Sequence, residues 1–405
     1  MVLTLSSLAG QALGSEPPCE PADFPQAPKG CFIDRDGDLR DPALEYDARL
    51  DALDPDHLRT IGEEVFFLGL GAAWYWADQD RNLADWDYPS WEQRFTLEAW
   101  RLDNNQFPIN FLGHPLEGAL YYSFARANDH SVPVAATYSF TTSFMWEFLF
   151  EFREKISIND MLVTPGAGVP IGEFAHKFWR HFNELPPNPT TAQQVAAAVL
   201  GFPIWIHRLI DGAPESVEGP YDELGFSTAI GHRLEAGYQA KLHDFGDQVA
   251  THGLWLGGRL SSIPGEGQPG SFALFFHEAD IVTLRLSAGL GEGARELGLV
   301  ADTHLLGSYI QAIDRAGDGH AAVIGLSLGY QYRFQDFDGY NDRLGILHLP
   351  GPGADYFFRS GSTKLAVHAR FNGDFAGIHS PAYSVWAADA VGPADRPKSI
   401  LRKHN

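Results

Sequence analysis

From about Tyr221 to residue 372 the chain repeatedly alternates apolar and polar residues with a period of two. This pattern suits a pleated strand, which sends successive side chains to opposite faces. In 226–241 one face reads Phe226, Thr228, Ile230, His232, Leu234, Ala236, Tyr238 and Ala240. The other reads Ser227, Ala229, Gly231, Arg233, Glu235, Gly237, Gln239 and Lys241. In 322–334, Ala322, Ile324, Leu326, Leu328, Tyr330, Tyr332 and Phe334 alternate with Val323, Gly325, Ser327, Gly329, Gln331 and Arg333. Similar alternation in 254–262, 272–290, 297–309 and 363–372, with spacers such as Pro264-Gly265-Glu266-Gly267 and Gly291-Glu292-Gly293, gives about six to ten strands.

Two architectures have one apolar and one polar sheet face. A soluble sandwich or lipocalin-like barrel turns the apolar face inward; an outer-membrane barrel turns it to lipid and lines its lumen with the polar face. The membrane barrel is the preferred reading. The alternation runs for the length a tilted membrane strand needs, the polar face mixes Gly and Ser with Arg, Glu and Gln, and Tyr238, Tyr309, Tyr332 and Phe334 stand near strand ends. The last residues, Ser399 to Asn405, do not read as a strand, so the barrel is expected to be incomplete.

Charge narrows the partners. With 29 basic and 52 acidic residues the net charge is 29 − 52 = −23. Nucleic acid is not an expected partner, since phosphate binding needs clustered Lys and Arg. Docking on an anionic surface through a basic patch is disfavoured for the same reason. No run of 18 or more apolar residues occurs, so no helical span is expected.

The N-terminal half divides into three parts. Residues 1–14 resemble a clipped signal peptide ending at Ala12-Leu13-Gly14, the alternative being a disordered tail. Residues 15–50 form a Pro- and Asp-rich linker. Cys19 and Cys31 are expected to form a disulfide if the chain is exported, the alternative being two unrelated thiols. The run Asp34-Arg35-Asp36-Gly37-Asp38 reads as a solvated acidic turn rather than a calcium loop, because the EF-hand spacing is not met. Residues 51–215 form a helical module, with the barrel over 220–405. Helices are expected at 56–76, from Pro115 to Ala127, from about Ser131 to Glu154, from Pro170 to Phe182 after a glycine-rich loop at 165–169, and at 192–210.

Polar residues that could carry chemistry concentrate in 101–183. Ser139, Ser143, Glu147 and Glu151 fall at successive i,i+4 positions and make one stripe on an otherwise apolar helix. A helix this apolar must be buried, so its stripe needs partners. His114 and Glu117 share a helix face, as do Glu173 and His176, and Asp160 lies near a helix start. The preferred reading is a buried polar network that locks helices together or against lumen residues such as Arg233, Glu235, Arg285 and Arg333. The second is a divalent-metal site using Glu147, Glu151, Glu173, His176 and His114. A serine-hydrolase reading would make Ser139 or Ser143 the nucleophile and His114 or His176 the base, but no Gly-x-Ser-x-Gly elbow accompanies them. A phosphate loop at Gly166-Ala167-Gly168 lacks its Lys-Ser/Thr ending.

The string Asn110, Gly113-His114-Pro115, Gly118, Ala125-Arg126, Ser139, Trp146-Glu147, Glu151, Asp160, Thr164-Pro165 and Gly172-Glu173 resembles a bacterial family catalogued as domain of unknown function 3943, over roughly residues 95–180. The resemblance implies an envelope protein of Gram-negative bacteria and carries no activity or catalytic residues. The expected fold is α+β: an N-terminal helical module packed on or plugging a C-terminal antiparallel membrane β-barrel. The expected place is the outer membrane, with the lipid bilayer as partner and a structural or transport role. The alternatives are an envelope enzyme or metal protein built on the Glu/His cluster, and a soluble periplasmic binding protein.

Overall fold

A computed structural model of the chain describes residues 19, 28–77, 87–102, 106–181, 188–212, 229–244, 248–291, 294–337, 340–381 and 383. The expected leader at 1–14, most of the Pro-rich stretch and the C-terminal tail lie outside them. A disulfide joins Cys19 to Cys31.

The chain opens with a hairpin, β1 (Phe32–Ile33) and β2 (Leu39–Arg40), and then α1 (Pro42–Asp51). Asp34 sits at the hairpin turn, where its Oδ1 accepts the N–H groups of Asp36 and Asp38 at 3.1 and 2.8 Å. Gly37 supplies the positive φ of +91° that closes the turn. Burial works to raise the Asp34 pKa, but the Asp38 N–H and Arg40 outweigh it and hold it below the usual carboxylate range. The acidic run therefore organises its own backbone. The same device recurs at Asp314–Asp318, where Asp314 Oδ1 accepts from Ala316 and Asp318 at 2.9 Å and Gly317 has φ +79°.

The helical module contains α2 (His57–Ala77), α3 (Trp91–Phe95), α4 (His114–Ala127), α5 (Val132–Met145), α6 (Ile158–Trp179), α7 (Thr191–Leu200) and α8 (Phe202–Asp211). A parallel pair, β3 (Trp100–Arg101) and β4 (Ile156–Ser157), lies among them. One π-helical turn (Ile109–Gly113) precedes α4, and another (Trp146–Phe150) ends α5 before Glu154. Residues 165–169 are not a loop. Pro165 and Pro170 both lie inside the continuous α6, against a proline's usual cost of about 3 kcal/mol in a helix interior. Packing overrides that preference. A Cβ on Gly118 would overlap the carbonyl of Thr164, and one on Gly168 would overlap the backbone of Gly118. One on Gly172 would stand 2.7 Å from the Tyr122 ring. The glycines therefore let α4 and α6 cross backbone to backbone. The expected single helix at 192–210 is two helices, broken at Gly201, which lies against Trp179.

The long strands are β5 (Gly231–Asp244), β6 (Gln248–Ser261), β7 (Gly270–Phe276), β8 (Ile281–Gly291), β9 (Ala294–Ile313), β10 (Gly319–Phe337), β11 (Tyr340–Ser360), β12 (Thr363–Arg370) and β13 (Asp374–His379). With β1 and β2 they make one 11-stranded sheet whose strand pairs are all antiparallel. The stretch 272–290 is two strands, both on β9: β7 pairs with 307–313 and β8 with 294–304. β12 and β13 share β11 in the same way. The sheet thus forks on β9, with β6 and β5 beyond β8, and β1 and β2 beyond β7.

The register sorts the side chains into two faces. Arg233, Arg259, Thr283, Asp302 and Gly329 lie in one row across five strands, on the face that also carries Ala321, Val323, Asp355 and Phe357. On this face Arg233 of β5 and Arg259 of β6 each reach over the Phe357 ring of β11, 5.6 Å from its centroid. Strands far apart in the sheet order therefore meet, and the polar face is concave. Among the described residues no pairing joins β5 to β12 or β13. The opposite face carries Leu234, Tyr238, Leu254, Leu256, Leu286 and Ile324, all exposed. It also carries Leu328, Tyr330 and Tyr332, which are buried with Leu347 against Phe111, Tyr122, Val163 and Ala167. Farther along the same face, Leu260 and Val282 close over Phe174 of α6. The helical module is thus packed on the apolar, convex side of the sheet, and the concave face is not where it sits.

The α4–α6 crossing makes a sharp stability prediction. Gly118→Ala should lower stability by about 1–3 kcal/mol or more through overpacking. Gly69→Ala, in α2 where nothing lies within 4 Å of the new methyl, should raise it by up to about 1 kcal/mol. Denaturant midpoints of the two variants check this.

Candidate functional site

Two polar clusters lie inside the helical module, each organised by a different end of the α4–α6 pair. At the first, the inward stripe of α5 meets backbone. Ser139 Oγ donates to the Gly118 carbonyl at 3.0 Å and Ser143 Oγ to the Asp160 carbonyl at 3.4 Å. The Glu147 carboxylate accepts the Ser157 N–H at 3.0 Å, and Ser157 in turn caps α6 by accepting the Asp160 N–H. Arg94 of α3 is fully buried and donates to the carbonyls of Glu147, Phe148, Glu151 and Glu154, at 3.0, 3.0, 3.2 and 2.6 Å. Its guanidinium closes the π-helical end of α5, supplying donors to carbonyls that have no helical partner.

His114 links this group to α4. Its Nδ1 lies 3.1 Å from Glu117 and its Nε2 3.5 Å from Asp160. Tyr121 donates its hydroxyl to the other Glu117 oxygen. Glu151 lies within electrostatic range of Glu147 and His114, and α2 adds the buried carboxyl of Glu64. Glu154, also buried, interacts with Glu151 and accepts from the Tyr75 hydroxyl at 3.1 Å, so carboxyl groups outnumber cations in this cluster.

At the other end, Glu173 of α6 is fully buried and fully engaged. It accepts from the Tyr122 hydroxyl at 2.7 Å, Arg126 Nε at 2.9 Å and Lys177 Nζ at 2.7 Å. Lys177 donates onward to Ser262 at 2.9 Å, and Ser262 to Asp280 at 3.1 Å. Asp280 also accepts from the Tyr46 hydroxyl and from Arg49, at 2.9 and 2.6 Å. Glu278 accepts the Val132 N–H at 2.6 Å and lies 3.9 Å from Arg126. One buried chain of charges therefore ties α4 and α6 to residues 278–280 and to α1. It crosses the boundary that the sequence drew between helical module and sheet.

The nine sequence candidates thus divide. His114, Glu117, Ser143, Glu147, Glu151 and Asp160 gather around the start of α6, Ser139 lies on Gly118, and Glu173 and His176 belong to the second cluster. Among the described residues no group of three or more His, Cys, Asp or Glu is placed to hold a metal ion. The oxygens of Glu173 are already held by cations and a phenol, and His176, though buried, leaves Nδ1 without a hydrogen bond. Ser139 and Ser143 donate to backbone carbonyls, so neither presents its hydroxyl to an imidazole. The stripe does not reach the concave-face residues expected to meet it: Arg285 lies over the Trp255 ring at 3.9 Å and Arg233 over Phe357.

A third cluster escaped the sequence reading. On the concave face Asp355 of β11 accepts from His304 Nε2 of β9 and His368 Nδ1 of β12, both at 3.0 Å, and from Arg370 at 2.6 Å. Beside it His348 meets Asp374 at 2.7 Å. The alternation in 363–372 put His368 and Arg370 on one polar face, but no strand was expected at 340–360, so their partner had no place in the sheet.

Removing one member of a buried charged set strands the others. Glu173→Gln should therefore cost about 3–5 kcal/mol, against about 1 kcal/mol for Ser143→Ala. Equilibrium unfolding of the two variants measures the difference.

No curated protein and no solved structure matches the chain. Residues 99–203 match the model of one family, described as a domain of unknown function (DUF3943). That span runs from the residue before β3 into α8 and holds the members of both buried clusters that come from α4, α5 and α6, while Glu64, Arg94, Ser262, Glu278 and Asp280 lie outside it.

Proposed function

We propose that this chain is a bacterial outer-membrane protein with a structural or transport role, its curled sheet presenting its apolar side to lipid and its helical module seated on that same side. The observation that carries this reading is a reversal of the usual polarity. In water a helix hides its apolar stripe and exposes its charges. On α2, Leu58, Ile61, Val65, Phe66, Leu70 and Trp74 are exposed, while Thr60 and Glu64 are buried. On α5, Phe140 is exposed while Ser139, Thr142 and Ser143 are buried, and Glu147 is buried in the turn that follows. The convex sheet face continues the pattern, with Leu254 67%, Leu290 69% and Leu256 63% exposed.

Such a surface is costly in water at roughly 25 cal/mol per Å² of apolar area, and is the ordinary exterior of a protein in hydrocarbon. Among the described residues no helix is long and apolar enough to cross a membrane, so the proposed lipid contact is that of strands and of helices lying on them. The concave face supports a filled interior rather than an open channel: Val323, Tyr309, Gln311 and Asp355 are buried there. The same polarity weighs against a soluble periplasmic binding protein, whose apolar faces would close on each other.

The test is nitroxide accessibility in vesicles. The sequence has only two cysteines, and these form the disulfide, so single labels can be placed cleanly. Labels at Leu254→Cys, Leu286→Cys and Val65→Cys should collide with oxygen far more than with a water-soluble nickel chelate, and a label at Arg285→Cys should not. Preferential collision with the nickel reagent at Leu254 and Leu286 would refute the reading.

A further inference from the structure

We propose that a cavity at the open edge of the curled sheet is a binding site for a phosphate-bearing ligand of sugar size. The cavity has a volume of about 550 Å³ and lies where β5 approaches β11 and β12, beside the turn between β9 and β10. That volume falls within the range of small-ligand sites, roughly 300–1,000 Å³. Phe357 lines it, and its cationic lining comes from three strands: Arg233 from β5, Arg359 from β11 and Lys364 from β12, with His320 of β10 beside them.

The cations are only loosely engaged, by long ion pairs and, for Arg233, by the Phe357 ring. Arg233 approaches Glu235 only to 4.0 Å, and Arg359 approaches Asp318 only to 3.9 Å. Among the described residues neither guanidinium, nor the Lys364 ammonium, donates a hydrogen bond to another side chain or carbonyl. A guanidinium carries five N–H donors in a planar fork that matches the oxygens of a phosphate. Two such forks and an ammonium around one cavity suit that group. Gly317 leaves room for one of them: a Cβ there would lie 3.4 Å from an Arg359 nitrogen.

The setting sharpens the argument. The chain carries a net charge of −23, so its long-range field repels anions, and a local convergence of three cations on one cavity runs against it. Glu235, which also lines the cavity, limits the anionic charge the site accepts and offers an acceptor for a sugar hydroxyl. Neither lining nor volume depends on lipid contact elsewhere on the sheet.

The phosphate could be a soluble sugar phosphate or the headgroup of a lipid, and the experiment separates the two. The full chain in detergent micelles is titrated with glucose 1-phosphate by calorimetry, and its flotation is measured with phosphatidylcholine vesicles made with and without phosphatidylglycerol. The variant Arg359→Gln/Lys364→Gln is compared in both, with its thermal unfolding as a check of folding. A soluble ligand predicts glucose 1-phosphate binding that weakens by about tenfold or more in the variant, the scale of losing charge-assisted hydrogen bonds. A headgroup ligand predicts no such binding, but a gain in flotation with phosphatidylglycerol that the folded variant lacks. Non-specific electrostatics on an acidic chain would give a loss instead. If the native chain shows neither response, or the folded variant keeps the response undiminished, the site is not there.

Discussion

The buried ionic chain through Glu173 is the constraint on which the rest of the architecture depends. A carboxylate removed from solvent is tolerated only with cations and donors around it. Glu173 takes Arg126 from α4, Lys177 from its own helix and the Tyr122 hydroxyl. Those partners fix how α4 and α6 cross, and Lys177 carries the linkage through Ser262 to Asp280 between β7 and β8. Once that seat is set, α6 lies across the apolar face of the sheet, and α5 and α2 are placed around it. The glycines at 118, 168 and 172 make the approach possible; the charges make it specific.

The polarity of the exterior follows from the same arrangement. With Glu64, Glu147, Asp160 and Glu173 buried, the outward sides of α2 and α5 are left apolar, in continuity with the outward residues of β5, β6 and β8. The concave face behaves oppositely. Its charges pair with each other, as in the Asp355 cluster, and at the open edge one cavity is lined by Arg233, Arg359 and Lys364, the two arginines held only by long ion pairs. The two faces differ: the convex side holds the module and an exposed apolar surface, and the concave side carries both the Asp355 cluster and an apolar core of Phe272, Leu274, Phe276, Tyr309 and Val323 closed by Phe32 and Tyr46.

Much of this was legible in residue order. The period of two in 322–334 sorts faces as the register does, with Ile324 and Tyr330 on one side and Val323 and Ser327 on the other. The stripe Ser139, Ser143, Glu147 identified a buried face correctly because i,i+4 spacing is local. What was not legible was set by distant packing. No strand was expected over β11, whose Leu349-Pro350-Gly351-Pro352 the structure absorbs at an irregularity opposite Ser327 and Gly329. A glycine-rich local signal suggested a loop at Pro165–Val169, where contact with α4 sustains a helix. The pairing of Glu173 with Arg126 and Lys177, rather than with His114 and Glu147, depends on which ends of two helices meet, and no spacing rule encodes that.

The central claim is that the outward apolar surface is a lipid surface. Sedimentation equilibrium in detergent, run at one solvent density that matches the detergent and at one that does not, addresses it most directly, because the matched buoyant mass reports the protein alone and the difference at the other density counts the bound detergent. The account predicts that the folded chain carries a detergent belt and loses its folded, monodisperse state when detergent is withdrawn. A folded monomer that binds no detergent and stays monodisperse in plain buffer would contradict it.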